Sequence, residues 1–167
     1  MAAVVVYYSR AGENYFGGQY RYVDKGNTEI VAEKIAAATG ASIFKIEQAV
    51  PYSDDYQTCI QQAREDLKER ARPDLAAYPK DMAADEIYLG YPNYWGDLPM
   101  AVYTFLEHYN WHGKTIHPFC THEGSGLGNI VQRIGQACPG ANVTEGLAVL
   151  GSQAAQSDGA VSAWLNQ

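Results

Sequence analysis

The N-terminal segment, residues 2–8, constrains the fold more than any other part of the chain. Its sequence, AAVVVYY, is an unbroken run of apolar, β-branched and aromatic residues. A strand with one solvated face alternates polar and apolar residues, whereas a strand of a parallel sheet is covered by helices on both faces. The run therefore predicts a central strand of a parallel sheet.

Predicted strands and helices alternate along the rest of the chain. Further strands are predicted at 42–46, 86–90, 115–120 and within 141–150, and helices at 27–39, 53–70, 99–108, 127–137 and 156–165. This alternation predicts an α/β fold, with a doubly wound parallel sheet and helices on both faces. A five-stranded sheet favours the strand order 2-1-3-4-5. Residues 1–167 are expected to form a single domain, with a loop insertion at about 13–25.

The charge balance bears on the partners of the protein. The formal net charge is -7, from 12 basic and 19 acidic residues. Nucleic-acid binding requires clustered lysines and arginines, so this class of partner is disfavoured. An acidic surface is compatible with a protein partner that carries a basic docking surface.

Cysteine usage and hydropathy indicate a cytoplasmic protein. The cysteines are Cys59, Cys120 and Cys138, which is an odd number, and no CxxC motif occurs. This usage is typical of a reducing compartment. The N-terminus lacks the basic segment of a secretory signal, and no apolar run approaches the roughly 18 residues of a membrane span.

The loop after the first strand, residues 9–28, is a candidate phosphate site. It ends in Gly26, Asn27 and Thr28 at the start of a predicted helix. Free amides at a helix N-terminus bind phosphate groups, and the side chains of Ser9, Asn27 and Thr28 can complete such a site. Asn27 or Thr28 serving only as a helix N-cap is an equally valid interpretation. The loop lacks the Gly-Lys-[Ser/Thr] of nucleotide triphosphatases.

The loop after the third predicted strand, residues 91–99, is rich in aromatic residues and suits a flat heterocycle. Tyr94 and Trp95 can stack on a ring, and Gly96 allows backbone conformations that other residues avoid. The alternative is that these aromatic residues cover the end of the sheet as part of the core. In an open α/β sheet, ligands bind at the carboxyl ends of the strands, which is where this loop lies.

The loop after the fourth predicted strand, residues 121–128, is rich in glycine. Its glycines allow the backbone to approach a ligand closely. Gly124 and Gly126 fit part of a dinucleotide-binding fingerprint, but the third glycine position is Asn129 and the fingerprint follows a first strand. A nucleophilic Ser125 with His122 lacks the Gly-x-Ser-x-Gly elbow.

A metal site is not expected. His108 and His112 have the spacing of a helical metal pair, but Gly113 follows immediately. His117 and Cys120 lie on a predicted strand, where residues an odd number of positions apart face opposite sides. Solvated or hydrogen-bonded histidines are the expected outcome.

Together, Ser9, the segments 26–29, 91–97 and 121–126, and the alternating pattern resemble the flavodoxin family. The resemblance covers essentially the whole chain, and it implies a non-covalently bound FMN. It places the phosphate on the first loop and the isoalloxazine ring between the other two loops. The residues assigned to the cofactor are Ser9, Arg10, Asn27, Thr28, Pro92, Asn93, Tyr94, Trp95, Gly96, Thr121, His122, Glu123, Gly124, Ser125 and Gly126.

The segment from Trp95 to Asp97 looks like the flavodoxin loop whose tryptophan stacks on the flavin. In that family, a peptide flip at the glycine offers a carbonyl to the reduced N5, which tunes the reduction potentials. The flavin carries the chemistry and the protein adjusts its electronics and access.

The chain departs from the family pattern at two places. The first loop carries a tyrosine-rich insertion at about 13–25, expected to be either a decorated surface loop or a flap or docking surface at the flavin edge. It also puts the role of residues 10–12 in doubt. The third loop lacks the tyrosine that many flavodoxins stack on the flavin, and His122 is a candidate substitute.

Three functions remain open at this point. Low-potential electron transfer between protein partners is favoured by the acidic charge. An NAD(P)H-dependent quinone or flavin reductase is the alternative on the same fold, and a cofactor-free interaction module is a third. Robust NAD(P)H oxidation with a quinone acceptor separates the second function from the first, and a colourless protein that does not bind FMN would exclude both.

Overall fold

The computed structural model describes residues 2–80 and 82–167 and contains a central parallel sheet with helices on both faces. The strands are β1 (Ala3–Tyr7), β2 (Gly12–Phe16), β3 (Gln19–Val23), β4 (Ser42–Lys45), β5 (Glu86–Pro92), β6 (Thr115–His122), β7 (Asn142–Val143) and β8 (Leu147–Leu150). The helices are α1 (Asn27–Thr39), α2 (Tyr56–Glu69), α3 (Met100–His108), α4 (Ile130–Ala137) and α5 (Asp158–Leu165), with a 3₁₀ helix at Gly151–Gln156.

The sheet confirms the predicted doubly wound α/β fold. Its order is β4-β1-β5-β6-β7, with β8 also paired to β6, and every pair in it is parallel. This is the predicted order 2-1-3-4-5, with the fifth strand in two pieces. The carboxyl ends of β1, β5 and β6 are therefore neighbours.

The prediction of five strands is wrong in one respect, because the last strand is divided and the described residues form a sheet of six strands. β7 pairs with Thr115 and Ile116, whereas β8 pairs with β6 only from Phe119 onward. Pro118 lies in the gap, and proline has no N–H to donate to a neighbouring strand. The pairing therefore stops at Thr144, whose N–H donates to Ile116, and resumes beyond the proline.

The first strand is buried on both faces, as its sequence predicts. Val4 and Val6 pack into a core with helices α3 and α4, while Val5 and Tyr7 pack into a second core with α1 and α5. Burying apolar side chains on both faces stabilises the sheet by roughly 25 cal/mol per Å² removed from water.

The insertion folds as a β-hairpin of β2 and β3. Gly17 and Gly18 form its two-residue turn, and both have positive φ, at 62° and 77°. Hairpins with two-residue turns favour residues that accept positive φ, because such turns match the twist of the strands. Tyr15 and Tyr20 face each other across the hairpin, with ring centroids 5.3 Å apart.

Helix boundaries differ from the prediction by a few residues. The helix predicted from residue 53 begins at Tyr56, because the Asp55 side chain caps it by accepting from the Thr58 N–H at 2.9 Å. The helix predicted from residue 127 begins at Ile130. None of the described helices is long and apolar enough to cross a membrane.

Candidate functional site

Hydrogen bonds tie together the loops that follow β1, β5 and β6. Thr121 is central: its hydroxyl lies 2.7 Å from that of Thr28, and its carbonyl accepts from the Asn93 N–H at 2.9 Å. The Asn93 side chain also donates to the Gly126 carbonyl at 3.0 Å. The predicted convergence of residues 9–28, 91–99 and 121–128 is therefore present in the fold.

The first loop presents the N-terminus of α1. The Ser9 hydroxyl accepts from the Glu29 N–H at 3.1 Å, and so fixes the first turn of the helix. The N–H groups of Asn27 and Thr28 have no hydrogen-bond partner among residues 2–80 and 82–167. Unpaired amides at a helix N-terminus attract anions.

Only glycine fits at residue 26. A Cβ there would collide with the Ser9 hydroxyl and the Arg10 carbonyl. Gly26 therefore packs directly against Ser9 and Arg10, so the chain leaves the hairpin close to the point where it entered it. As a result, α1 begins near the carboxyl end of β1 despite the insertion.

The second loop contains a tight turn from Tyr94 to Asp97, closed by reciprocal backbone hydrogen bonds of 2.9 and 3.1 Å. Trp95 and Gly96 have φ of 56° and 80°, the pattern of a type I′ turn. Glycine adopts this conformation freely, whereas a bulky residue such as tryptophan is strained in it. The Trp95 indole N–H donates to the Ile60 carbonyl at 3.1 Å, which helps to hold the turn against α2.

The third loop, which follows β6, contacts the β2–β3 hairpin. Glu123 accepts from the Gly17 N–H at 2.9 Å, at the tip of the hairpin. The His122 ring nitrogen Nδ1 accepts from the Gly124 N–H at 2.9 Å, so His122 closes the loop locally. Stacking of His122 on a flavin remains a prediction.

A cavity of about 320 Å³ lies between the second and third loops and helix α2. Its size is at the small end of ligand pockets, which suits one flat ring. Trp95 is one of the residues that line it, and this residue is 52% exposed. The lining residues are Tyr56, Cys59, Ile60, Ala63, Asn93, Tyr94, Trp95, Gly96, Glu123 and Ser125.

The sequence predicts residues 53–70 as a polar helix, and this prediction does not include the wall that α2 contributes to the cavity. Tyr56, Cys59, Ile60 and Ala63 recur at helical spacing and form a short apolar stripe. That stripe was the available signal. Cys59 and Ala63 are buried.

The side chains packed behind the turn, Tyr94, Tyr8 and Cys59, are neutral groups. Burial raises the pKa of Tyr94 well above its ordinary value and also raises the pKa of Tyr8 and of the Cys59 thiol. The Tyr94 hydroxyl is buried and has no hydrogen-bond partner in the part of the chain that the structure describes. Neutral groups behind the turn favour an apolar ring over a charged ligand there, whereas Glu123 places a carboxylate at the opposite loop.

Two predicted residues have other partners in this structure. Arg10 donates to the carbonyls of Glu13, Ser53 and Asp54, and thereby joins the hairpin to the segment before α2. Its assignment to a cofactor remains a prediction. Pro92 is the last residue of β5 and lies opposite Thr121 of β6.

Asp97 was not singled out from the sequence. Its side chain is 3% exposed and accepts from four donors: the Leu98 N–H, the Tyr103 hydroxyl, and one nitrogen each of Arg70 and Arg133, both at 3.0 Å. This carboxylate anchors the carboxyl end of the type I′ turn to helices α2, α3 and α4. The described residues contain no group of three or more His, Cys, Asp or Glu side chains able to hold a metal ion.

A family model described as flavodoxin matches residues 20–167. The chain belongs to the flavodoxin family. No curated protein matches the chain.

Solved flavodoxin-like structures cover nearly the whole chain. A protein of Bacteroides eggerthii, assigned as a flavoprotein, is 26% identical, with 99% of this chain and 96% of that chain covered and a TM-score of 0.79. A Bacteroides uniformis protein assigned in the same way is 24% identical, covers 99% and 98%, and has a TM-score of 0.78. A flavoprotein of Lactobacillus acidophilus, solved in complex with FMN, is 18% identical, covers 93% and 97%, and shares the fold with a TM-score of 0.64.

Proposed function

We propose that this flavodoxin-family protein binds FMN non-covalently and carries electrons between protein partners. The observation that carries the proposal is the junction formed by Glu123. Glu123 lines the ring-sized cavity. Its carboxylate and the side-chain amide of Asn27 both lie against Gly151, at the position where a Cβ would be, so the two side chains are close together. The free amides of α1 and the cavity are therefore neighbours at one edge of the sheet.

The first loop fits the phosphate of FMN. Asn27 and Thr28 supply amides without protein partners at a helix N-terminus, where the helix dipole favours negative charge. Thr28 is held by its hydrogen bond to Thr121, and Ser9 fixes the first helical turn. These residues bind and orient the phosphate in the proposal.

The cavity fits the isoalloxazine ring. When bound, the flavin supplies the electron-transfer chemistry, while the protein sets its orientation and its exposure to water. Trp95 and Tyr56 offer aromatic surface, Ile60 and Ala63 offer apolar contact, and Ser125 offers a polar edge. The FMN complex of the Lactobacillus acidophilus relative supports this choice of ligand.

The electron-carrier role is supported by the charge of the chain. The net charge of -7 favours docking to a partner with a basic surface. A cytoplasmic location is part of the same proposal.

Titration with FMN and with riboflavin tests flavin binding, and fluorescence quenching gives both dissociation constants. Riboflavin lacks the phosphate, so N27D, which places a carboxylate at the free amides, should weaken FMN by about tenfold or more and riboflavin much less. An aspartate in the first turn is favourable for the helix. Because Glu123 lies beside this position, circular dichroism verifies the fold of the variant. W95A should weaken both ligands.

Three results would contradict the proposal at different levels. Equal affinity of the wild-type protein for FMN and riboflavin would refute the phosphate site in the first loop, and no binding of either would refute the flavin site. Rapid NAD(P)H oxidation with a quinone acceptor, well above that of free FMN, would refute the carrier role and leave FMN binding intact.

A further inference from the structure

A cleft of about 190 Å³ lies between the carboxyl end of α2 and helices α3 and α4. It draws Arg70 and Arg72 from the end of α2, Tyr103 and Glu107 from α3, and Arg133 from α4. Three arginines meeting in one cleft are unusual in a chain that has only 12 basic residues against 19 acidic ones. None of these residues takes part in the proposed flavin site.

The charges in the cleft do not cancel. Arg72 is neutralised by Glu107, to which it donates at 2.8 and 3.0 Å. Arg70 and Arg133 share the single carboxylate of Asp97, each through one nitrogen. Among the described residues that line the cleft or bind its arginines, three arginines face two carboxylates, which leaves one positive charge in excess.

The two guanidiniums that share Asp97 are held in place before any ligand arrives. The Arg70 guanidinium lies 4.9 Å from the centre of the Tyr103 ring. The Nε of Arg133 donates to the Asn129 side-chain oxygen at 3.5 Å, in addition to the bond from its Nη1 to Asp97. Arg70 and Arg133 each retain N–H groups beyond the nitrogen that binds Asp97. Their side chains are 44% and 38% exposed, so a ligand can reach them. Preorganised guanidinium groups bind oxyanions with a low entropic cost.

We infer that this cleft is a second anion site, which binds a phosphate group beside the Trp95–Gly96 turn through Arg70 and Arg133. A phosphate has three oxygens to share between two guanidiniums, whereas a carboxylate has two, so phosphate makes fuller use of the donors. The cleft is concave and small, and therefore suits a single anionic group of a small molecule. The site does not depend on flavin binding.

Binding of inorganic phosphate to the purified protein, measured by isothermal titration calorimetry at low ionic strength, tests the site. R70Q and R133Q should each weaken phosphate by about tenfold, because each removes a charge-assisted donor. K68Q makes the same charge change on the exposed face of α2 and should have little effect. Asp97 keeps one arginine in either cleft variant, and circular dichroism verifies the fold.

Further arms identify the ligand and the location. Adenosine 2′-monophosphate binding more tightly than inorganic phosphate would indicate a phosphorylated small molecule, and equal affinity would indicate free phosphate. The N27D variant should retain this binding, because α1 lies outside the cleft. Phosphate binding that survives R133Q but is lost in N27D, tighter binding of acetate than of phosphate, or no phosphate binding would each overturn the inference.

Discussion

Replacing Asp97 by asparagine tests how strongly the arginines hold the turn beside the proposed flavin site. In D97N the amide oxygen can still accept from the Leu98 N–H and the Tyr103 hydroxyl, at the positions now 2.7 and 2.6 Å away. The amide nitrogen then faces Arg70 and Arg133, so two charge-assisted hydrogen bonds are replaced by donors facing donors. We expect D97N to lose the hydrogen bonds from Arg70 and Arg133 and to keep those from Leu98 and Tyr103.

The magnitude follows from the burial of the partners. A hydrogen bond to a charged group contributes about 1.5–3 kcal/mol when buried. The arginines are 44% and 38% exposed, so solvent screening reduces each contribution to about 1 kcal/mol. The exposed arginines lose their counter-ion as well, and the total loss should be about 2–3 kcal/mol of unfolding free energy. This corresponds to a decrease in Tm of roughly 4–12 °C for a chain of this size.

Urea unfolding at pH 7, followed by circular dichroism, measures the effect, and E107Q is the matched control. It makes the same carboxylate-to-amide change beside an arginine of the same cleft, but Glu107 is 47% exposed. Exposed ion pairs contribute about 0–1 kcal/mol. If D97N loses no more stability than E107Q, the argument that Asp97 anchors the turn is refuted.

Three further predictions concern the cofactor edge and the core. T28V and T121V should each lower the free energy of unfolding in urea by about 1–2 kcal/mol, because each leaves the other hydroxyl buried without its partner. The double variant leaves neither hydroxyl unpaired and should lose less than the sum of the two. Strict additivity would contradict the hydrogen bond. G26A should be strongly destabilising, because its Cβ meets Ser9 and Arg10, whereas G135A, a helical position with open space, should gain up to about 1 kcal/mol; similar effects in both variants would contradict the close approach. Burial raises the pKa of the Cys120 and Cys138 thiols to about 12, so the unfolded chain releases these protons first as the pH rises above about 9. The urea midpoint should therefore fall between pH 9 and 11, and C120A should fall less steeply; a constant midpoint would contradict this.

Much of the fold was predictable because it follows local patterns. Val4 to Tyr7 predict burial on both faces, and the structure divides these residues between two cores. The strand order and the meeting of the three loops follow from the alternation of strands and helices. The split of the last strand was not predicted, because it depends on Pro118 lying opposite it across the sheet.

The candidate site was predictable only for residues that lie in the loops themselves. Asn93, Thr121 and Thr28 were singled out and are joined by hydrogen bonds. The α2 wall, with Ile60 and Ala63, was not predicted, since an apolar stripe on a polar helix shows that something packs there but not what. Asp97 was missed because its arginines lie 27 and 36 residues away.

The sequence by itself determined the parallel α/β architecture, the family and the edge of the sheet at which the three loops meet. These properties depend on the hydrophobic period of each segment and on its order in the chain, and both are local. The tertiary structure alone decided that the insertion is a hairpin latched by Glu123 at Gly17, and that Arg70 and Arg133 share Asp97. These contacts join residues that are far apart in the chain, so they form only when distant segments pack together and no local sequence pattern predicts them.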